Sequence, residues 1–472
     1  MLFPCDTITD PEIRGKLDRI RANVKSLAGP MVCLPNIHPK AGLESPPQFV
    51  AATRGTIVPQ LTAPAMNCGM SVFKTDLKKE DFSAAFLQEF AQKLRAGIAP
   101  RVTRSQTIRQ WLWPRKSDLR NYVSPTYVYN LTEAELEDFF INGAEAAVRK
   151  YHLPPTELEH IEYRGCVLTE EEKKSIDLAD LVPRSSYING RHEMGYNFGG
   201  NHFLEFHYVE EVRDAEKAAA WGIAPGQIMM FYHGGGGHAT YHLGRYFGRR
   251  EKNTSAEKVI LFWLKLFFPF GSWDGIMNFP ARWHAYFSRK PFPETPLDSP
   301  EGRRLMNSIK IGLNYGYGFR AALLKRINDA LPKGSASFVW DAAHNSIMEE
   351  VINGEHVIVH RQDAMRAFPG RPAMIAGWNT LSYLGTPLEG AEKSMWSITP
   401  SAGKTIGKYK KEGLLKEDAS HVTFLSKRKE PQLIRNIHTT SEGLFAVVDN
   451  LEKEGIIKPV AYLRPLGAIK GH

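Results

Sequence analysis

Apolar residues recur at helical spacing over Phe82–Leu94 (FSAAFLQEFAQKL). A similar pattern runs over Leu131–Tyr151, opened by Thr132 and Glu135 at the spacing of a capping pair. Phe203–Val212 (FLEFHYVEEV) mixes β-branched and aromatic residues in near-alternation, which predicts a strand; Gln227–Tyr232 and His356–His360 read the same way. Arg303–Ala330 predicts a long helix and Gly443–Gly455 a shorter one. The most apolar stretch, Val259–Trp273 (VILFWLKLFFPFGSW), holds Lys265 and Pro269 and is too short to span a bilayer. It is expected to be a buried helix and turn; an oligomer or lid surface and a membrane-surface patch are the alternatives. Prolines at Lys290–Pro300 and at Pro46-Pro47 predict surface loops.

No internal repeat or heptad run breaks the 472 residues into modules. With 43% hydrophobic and 11% aromatic residues, the chain can bury a sizeable core. A formal charge of +9 favours a phosphate-rich partner such as RNA or a nucleotide over a neutral metabolite. Three basic segments, 101–120, 245–252 and 404–416, add to that balance; the first interleaves Trp111 and Trp113 with cations. That arrangement suits stacking on single-stranded RNA, and equally a solvated face with its tryptophans in the core. Cys5, Cys33, Cys68 and Cys166 are sparse and unpaired in sequence, so a reducing cytoplasm is expected rather than a disulfide framework. The first residues lack a signal-peptide layout, and no membrane association is expected.

The candidate chemistry lies in four short segments: Asn67-Cys68-Gly69-Met70, Gly200-Asn201-His202-Phe203-Leu204-Glu205, His233-Gly234-Gly235-Gly236-Gly237 and Ala343-His344-Asn345. Together they offer a thiol and three imidazoles at strand ends and glycine turns, where side chains from separate strands can converge on a cation. No pair has the tight spacing of a compact metal motif, and a lone histidine is ordinarily structural. The glycine run after His233 reads either as a phosphate cradle or as a plain hairpin loop. Because these residues span positions 68 to 344, one interleaved domain over residues 1–472 is simpler than a string of modules.

The order and wording of the segments resemble the RtcB family of RNA-splicing ligases over nearly the whole chain. Leu34-Pro35-Asn36-Ile37-His38-Pro39, Phe49-Val50-Ala51-Ala52-Thr53, the Cys68 segment and Gly199-Gly200-Asn201-His202-Phe203-Leu204-Glu205 stand in family order. So do His233, Asn314-Tyr315, Ala343-His344-Asn345, Val359-His360-Arg361, Arg366-Ala367-Phe368-Pro369 and the run from Leu463 to Gly471. The resemblance implies an α+β fold, one large domain of mixed β-sheets surrounded by helices. It also implies joining of RNA ends bearing a 2′,3′-cyclic phosphate or 3′-phosphate to a 5′-hydroxyl, with GTP and two manganese ions, through a guanylylated histidine. By the same resemblance Cys68, His233 and His344 would hold one metal, and Cys68 with His202 a second. Asn201 would contact nucleotide phosphates and Lys470 the guanine.

The departures fall on substrate and catalytic groups. Pro400 stands at the nucleophile position, Ala65 at the second site's aspartate, and Gln362 at a lysine position. Gly236 and Gly237 replace a serine and an arginine, and the Gly377-Trp378-Asn379-Thr380 turn lacks its serine. Lys404 is the substitute nucleophile within reach in sequence. The remaining Cys/His set suits zinc as well as manganese. Guanylylation, and with it GTP as a cofactor, is expected to be lost. Three readings follow: an RNA ligase with altered activation, a metal-dependent phosphoesterase that opens cyclic phosphates, and a non-catalytic RNA- or nucleotide-binding paralogue. Oligomeric state is left open.

Overall fold

The computed structural model describes residues 3–5, 8–97, 128–183, 186–187, 190–192, 194–237, 239–240, 243, 254–267, 273–288, 290–426 and 432–471. The basic segments 101–120 and 245–252 lie outside them. Local rules account for the helices. Ser83 caps the helix Ala84–Arg95, which turns Leu87, Phe90, Ala91 and Leu94 inward. Thr132 and Glu135 form a reciprocal cap at the start of the helix Glu133–Asn142. The predicted helix over Leu131–Tyr151 is in fact two, because Gly143 interrupts it at φ 56° and a second helix, Ala144–Tyr151, follows. A side chain at Gly143 would also meet the Gly165 carbonyl at 2.0 Å. The long helix Pro300–Ala330 starts at a Ser299 cap with proline in its first turn and is buried on most sides.

The fold is α+β. One sheet runs in the order β1 (Phe3–Pro4), β2 (Val32–Cys33), β3 (Phe49–Thr53), β11 (Glu355–Gln362) and β10 (Asn345–Ile352). Two short ribbons pair β4 (Thr56–Ile57) with β8 (Thr295–Pro296) and β12 (Met365–Arg366) with β15 (Ser397–Ile398). The large sheet has the order β13 (Ala373–Ile375), β14 (Ser382–Pro387), β18 (Ile457–Lys470), β6 (Phe203–Val212), β7 (Gln227–Gly235), β5 (Cys68–Lys78) and β9 (Ala336–Ala343). A hairpin of β16 (Glu417–Leu425) and β17 (Gln432–Thr439) joins it, β16 lying parallel to β18.

Both faces of this sheet are covered. In β7, Ile228, Met230 and Tyr232 enter one apolar cluster with the long helix, while Met229 and Phe231 enter another on the opposite side. The period-2 pattern therefore divides two cores, not core from solvent. The predicted strand Gln227–Tyr232 runs on to Gly235, so half of the glycine run is β-structure and the hairpin-loop reading fails there.

Three further expectations are corrected. Residues of the apolar stretch form the helix Ser255–Phe267, but Val259, Phe262, Trp263, Phe267 and Trp273 are exposed while Lys265 is buried. The apolar positions i, i+3, i+4 and i+8 face outward, reversing the usual arrangement. Pro46 and Pro47 are buried rather than on a surface loop. Cys5 and Cys33 form a disulfide, because β1 pairs antiparallel with β2 and brings their Cα atoms to 5.3 Å. Among the described residues no helix is long and apolar enough to cross a membrane.

Candidate metal centre

Four adjacent strands, β6, β7, β5 and β9, carry the donors at or beside their ends. Cys68 opens β5 opposite Gly235 of β7, and Met70 lies opposite His233. His233 in turn lies opposite Phe203, next to His202 at the start of β6. His344 follows the last residue of β9, whose Ala343 pairs with Gly69, and its backbone N–H donates to the Cys68 carbonyl at 2.9 Å. Glycine is required at this crossing: a Cβ on Gly235 would stand 2.1 Å from the Asn67 carbonyl oxygen.

The functional atoms converge. Cys68 Sγ is 3.4 Å from His202 Nε2 and 3.6 Å from His233 Nε2, and His233 Nε2 is 3.0 Å from His344 Nε2. Cys68, His202 and His233 present one ligand atom each within 4.8 Å of one another. His344 joins through His233, so the grouping runs His202–Cys68–His233–His344 rather than as two separate sets. The Asn201 carbonyl accepts from His233 Nδ1 at 3.2 Å, which fixes the proton there and leaves Nε2 as a lone-pair donor.

Electrostatics favours neutral ligands. Burial, reinforced by His344 and His202, holds the His233 imidazole well below its ordinary value, and burial lowers His344 too. Burial pushes the Cys68 thiol up to about 12, so a cation must displace its proton to gain the thiolate. Beneath the thiol, the Arg320 guanidinium donates to the Asn67 carbonyl at 2.9 Å and to Asn67 Oδ1 at 2.8 Å. The same guanidinium is paired with Asp341 at 2.6 Å, both side chains being fully buried. This pair holds Asn67 in the left-handed conformation (φ 51°) that turns the chain into Cys68. A soft thiol and neutral imidazoles, one of them oriented by the Asn201 carbonyl, are a donor set that fits one transition-metal cation. With Ala65 offering no carboxylate, a second cation has a poorer set.

The remaining sequence candidates take these places. Asn201 is exposed beside His202. Pro400 is buried, its carbonyl accepting from the Ala376 N–H at 2.9 Å. Lys404 is exposed in the first turn of the helix Gly403–Lys411. The next residue, Thr405, docks on Asn36 Oδ1 through its N–H at 2.8 Å, tying the Leu34–Pro39 segment to this helix. Lys470 lies with its ammonium over the Trp378 ring, and Trp378 packs on Phe203 at 5.5 Å.

Sequence reading missed a second polar group beside Lys470. Glu205 and His207, two apart on β6, share a face and are fully buried. His421 on β16 and His438 on β17 stack at 4.7 Å, and neither their ring nitrogens nor the Glu205 oxygens have a hydrogen-bond partner. Burial pushes the Glu205 carboxyl up to about 8 and the Lys470 ammonium down to about 8. The one sequence signal was the Glu205/His207 spacing; the two hairpin histidines gave none.

The family model described as tRNA-splicing ligase RtcB matches residues 20–471. A tRNA-splicing ligase RtcB of Methanococcus maripaludis is 25% identical over 459 residues, covering 88% of this chain and 82% of that protein. One from Methanocaldococcus jannaschii is 26% identical over 443 residues, 86% of this chain but only 40% of its own longer sequence. An Entamoeba dispar protein named RNA-splicing ligase RtcB homolog 2 is 25% identical, covering 96% of this chain and 83% of its own.

Proposed function

Since this chain belongs to the RtcB family, we propose that it acts on RNA ends with a divalent cation held by Cys68, His202, His233 and His344, without a covalent histidine–GMP step. The observation that carries this reading is a contrast. Four donors lie within 3.0 to 3.6 Å of their neighbours, while the nucleophile position holds the buried Pro400, which has no group to attack phosphorus.

A divalent cation supplies charge neutralisation and Lewis acidity at a phosphoryl group. The chain's own residues do the rest. The strand ends fix the donors, and the Asn201 carbonyl sets the His233 tautomer. Lys470, its ammonium seated over Trp378, offers a donor to a base, and exposed Asn201 is free to meet phosphate oxygens. The ends addressed are a 2′,3′-cyclic phosphate or 3′-phosphate and a 5′-hydroxyl. The cation is manganese by family, with zinc equally suited to the Cys/His donors.

Pro400 favours a second reading: a phosphoesterase that hydrolyses a cyclic phosphate needs no guanylylated residue. The test mixes a labelled RNA ending in a 2′,3′-cyclic phosphate with a 5′-hydroxyl RNA, manganese and GTP, with C68A protein as control. Joined product supports ligation, a bare 3′-phosphate supports the phosphoesterase, and an RNA left untouched by the unmutated protein rejects both. An RNA-end substrate fits the cytoplasm, and counting thiols in freshly isolated protein checks whether Cys5 and Cys33 are paired there.

A further inference from the structure

We propose that Asp363 is a positioning residue that aims the His344 imidazole at the metal centre, an inference that rests on the metal-binding reading of Cys68, His202, His233 and His344. His344 is buried, and its two ring nitrogens face different partners. Nε2 looks toward His233, whereas Nδ1 makes no hydrogen bond although Asp363 Oδ1 stands 3.2 Å away. An imidazole that gives Nε2 to a cation carries its proton on Nδ1, and Asp363 Oδ1 is the acceptor within reach.

One hydrogen bond holds the carboxylate and two hold the backbone that carries it. Gln48 Nε2 donates to Asp363 Oδ2 at 2.9 Å, and the Asp363 N–H donates to Asn345 Oδ1 at 2.8 Å. The next N–H, of Ala364, donates to the His344 carbonyl at 2.8 Å. Oδ1 is thereby left pointing at Nδ1.

Backbone conformation supplies an independent argument. Asp363 has φ 52° and Gln48 has φ 65°, both in the left-handed region that glycine occupies freely and other residues seldom do. Two such residues meeting in one hydrogen bond, directed at a metal-type histidine, is backbone strain held at a functional position. Were the role only to turn the chain after β11, glycine would serve better. The side chain is what requires aspartate.

The prediction is therefore a divergence of stability and metal affinity. Full-length protein, freed of metal by chelation, is titrated with cobalt(II) and followed by its visible absorption; thermal unfolding is measured in the same chelator-treated buffer. Asp363→Gly should bind cobalt about 10- to 100-fold more weakly, with an altered band shape. Its unfolding temperature should stay within a few degrees of wild type, since relief of the strained φ offsets the loss of the Gln48 hydrogen bond. Asp363→Asn, which keeps an acceptor without the charge, should fall between.

If Asp363→Gly binds cobalt with wild-type affinity and spectrum, the positioning role is wrong while the metal centre stands. If affinity and unfolding temperature fall together, Asp363 is merely structural and the inference is overturned. If wild-type protein gives no cobalt spectrum and behaves as C68A does, the metal centre itself fails and this inference with it.

Discussion

His233 and His344 meet nitrogen to nitrogen, their Nε2 atoms 3.0 Å apart, from strands that reach the same point 111 positions apart in the chain. His233 Nδ1 is committed to the Asn201 carbonyl, so its Nε2 carries a lone pair. The pair is thus poised to share a cation or, failing that, a proton.

Manganese or zinc should therefore stabilise the wild-type chain. At a free cation concentration about 100 times Kd, linkage gives about 2.7 kcal/mol. Thermal unfolding with and without each ion measures it. C68A and His233→Ala should show no metal-dependent shift; a shift of wild-type size in C68A places the ion elsewhere.

Incubation with GTP labelled at the α-phosphate should leave no acid-labile adduct on the protein, because Pro400 offers no attacking nitrogen. Gel separation before and after acid treatment settles the point. An acid-labile band would show that another side chain, with Lys404 first to be mutated, has taken over the attack.

Arg320 and Asp341 are fully buried and paired at 2.6 Å, and Ser71 Oγ donates to the same carboxylate at 2.5 Å. Removing one charge strands the other. Arg320→Met should cost about 3–5 kcal/mol in urea unfolding. It should also weaken metal binding, since Asn67 loses the guanidinium that holds the turn into Cys68.

Stability should fall in acid. His207 and His421 are held down to about 3 and His438 to about 4, in each case by burial first. Their ordinary value is 6.5, so between pH 6.5 and 4 the unfolded chain binds protons that the folded chain refuses. Each imidazole then removes up to about 1.4 kcal/mol per pH unit as pH drops. His421→Gln with His438→Gln should flatten that slope in urea unfolding. Glu205 has the opposite sign. Raised to about 8, it is protonated when folded and ionised when unfolded above pH 4.5, so it costs stability as pH rises toward 8. Glu205→Gln should gain most near pH 8, and no gain there would mean the carboxyl is not held neutral.

Much of this arrangement was legible in the chain itself. The thiol and imidazole donors sit in short strings where glycine and asparagine flank strand-forming runs, and those strings mark strand ends. The strand Phe203–Val212 and a long helix over Arg303–Ala330 followed from the chain's own pattern, while the cap at Ser299 that starts the helix three residues earlier did not. What the pattern missed had physical causes. Lys265 reads as the polar interruption of a buried helix, and nothing local says that the helix turns its aromatic side outward. Cys5 and Cys33 pair only because two-residue strands align, and two-residue strands leave no periodic trace. Asp363 is a lone acid after a strand, and its importance comes from a left-handed backbone and from Gln48, more than 300 positions away. His421 and His438 meet through the register of a hairpin, which composition does not encode.

The position of β18 has a consequence for how the molecule is made. It inserts between β14 and β6, yet it comes later in the chain than either, and later than every proposed metal donor. While residues 457–470 are still to be synthesised, β6 and β14 each present an open hydrogen-bonding edge, with Glu205 and His207 beside one of them. The sheet is completed from its middle by its last strand. A nascent chain therefore has to wait with those edges guarded, and a ribosome that stalls short of that strand releases an aggregation-prone product instead of a smaller working one.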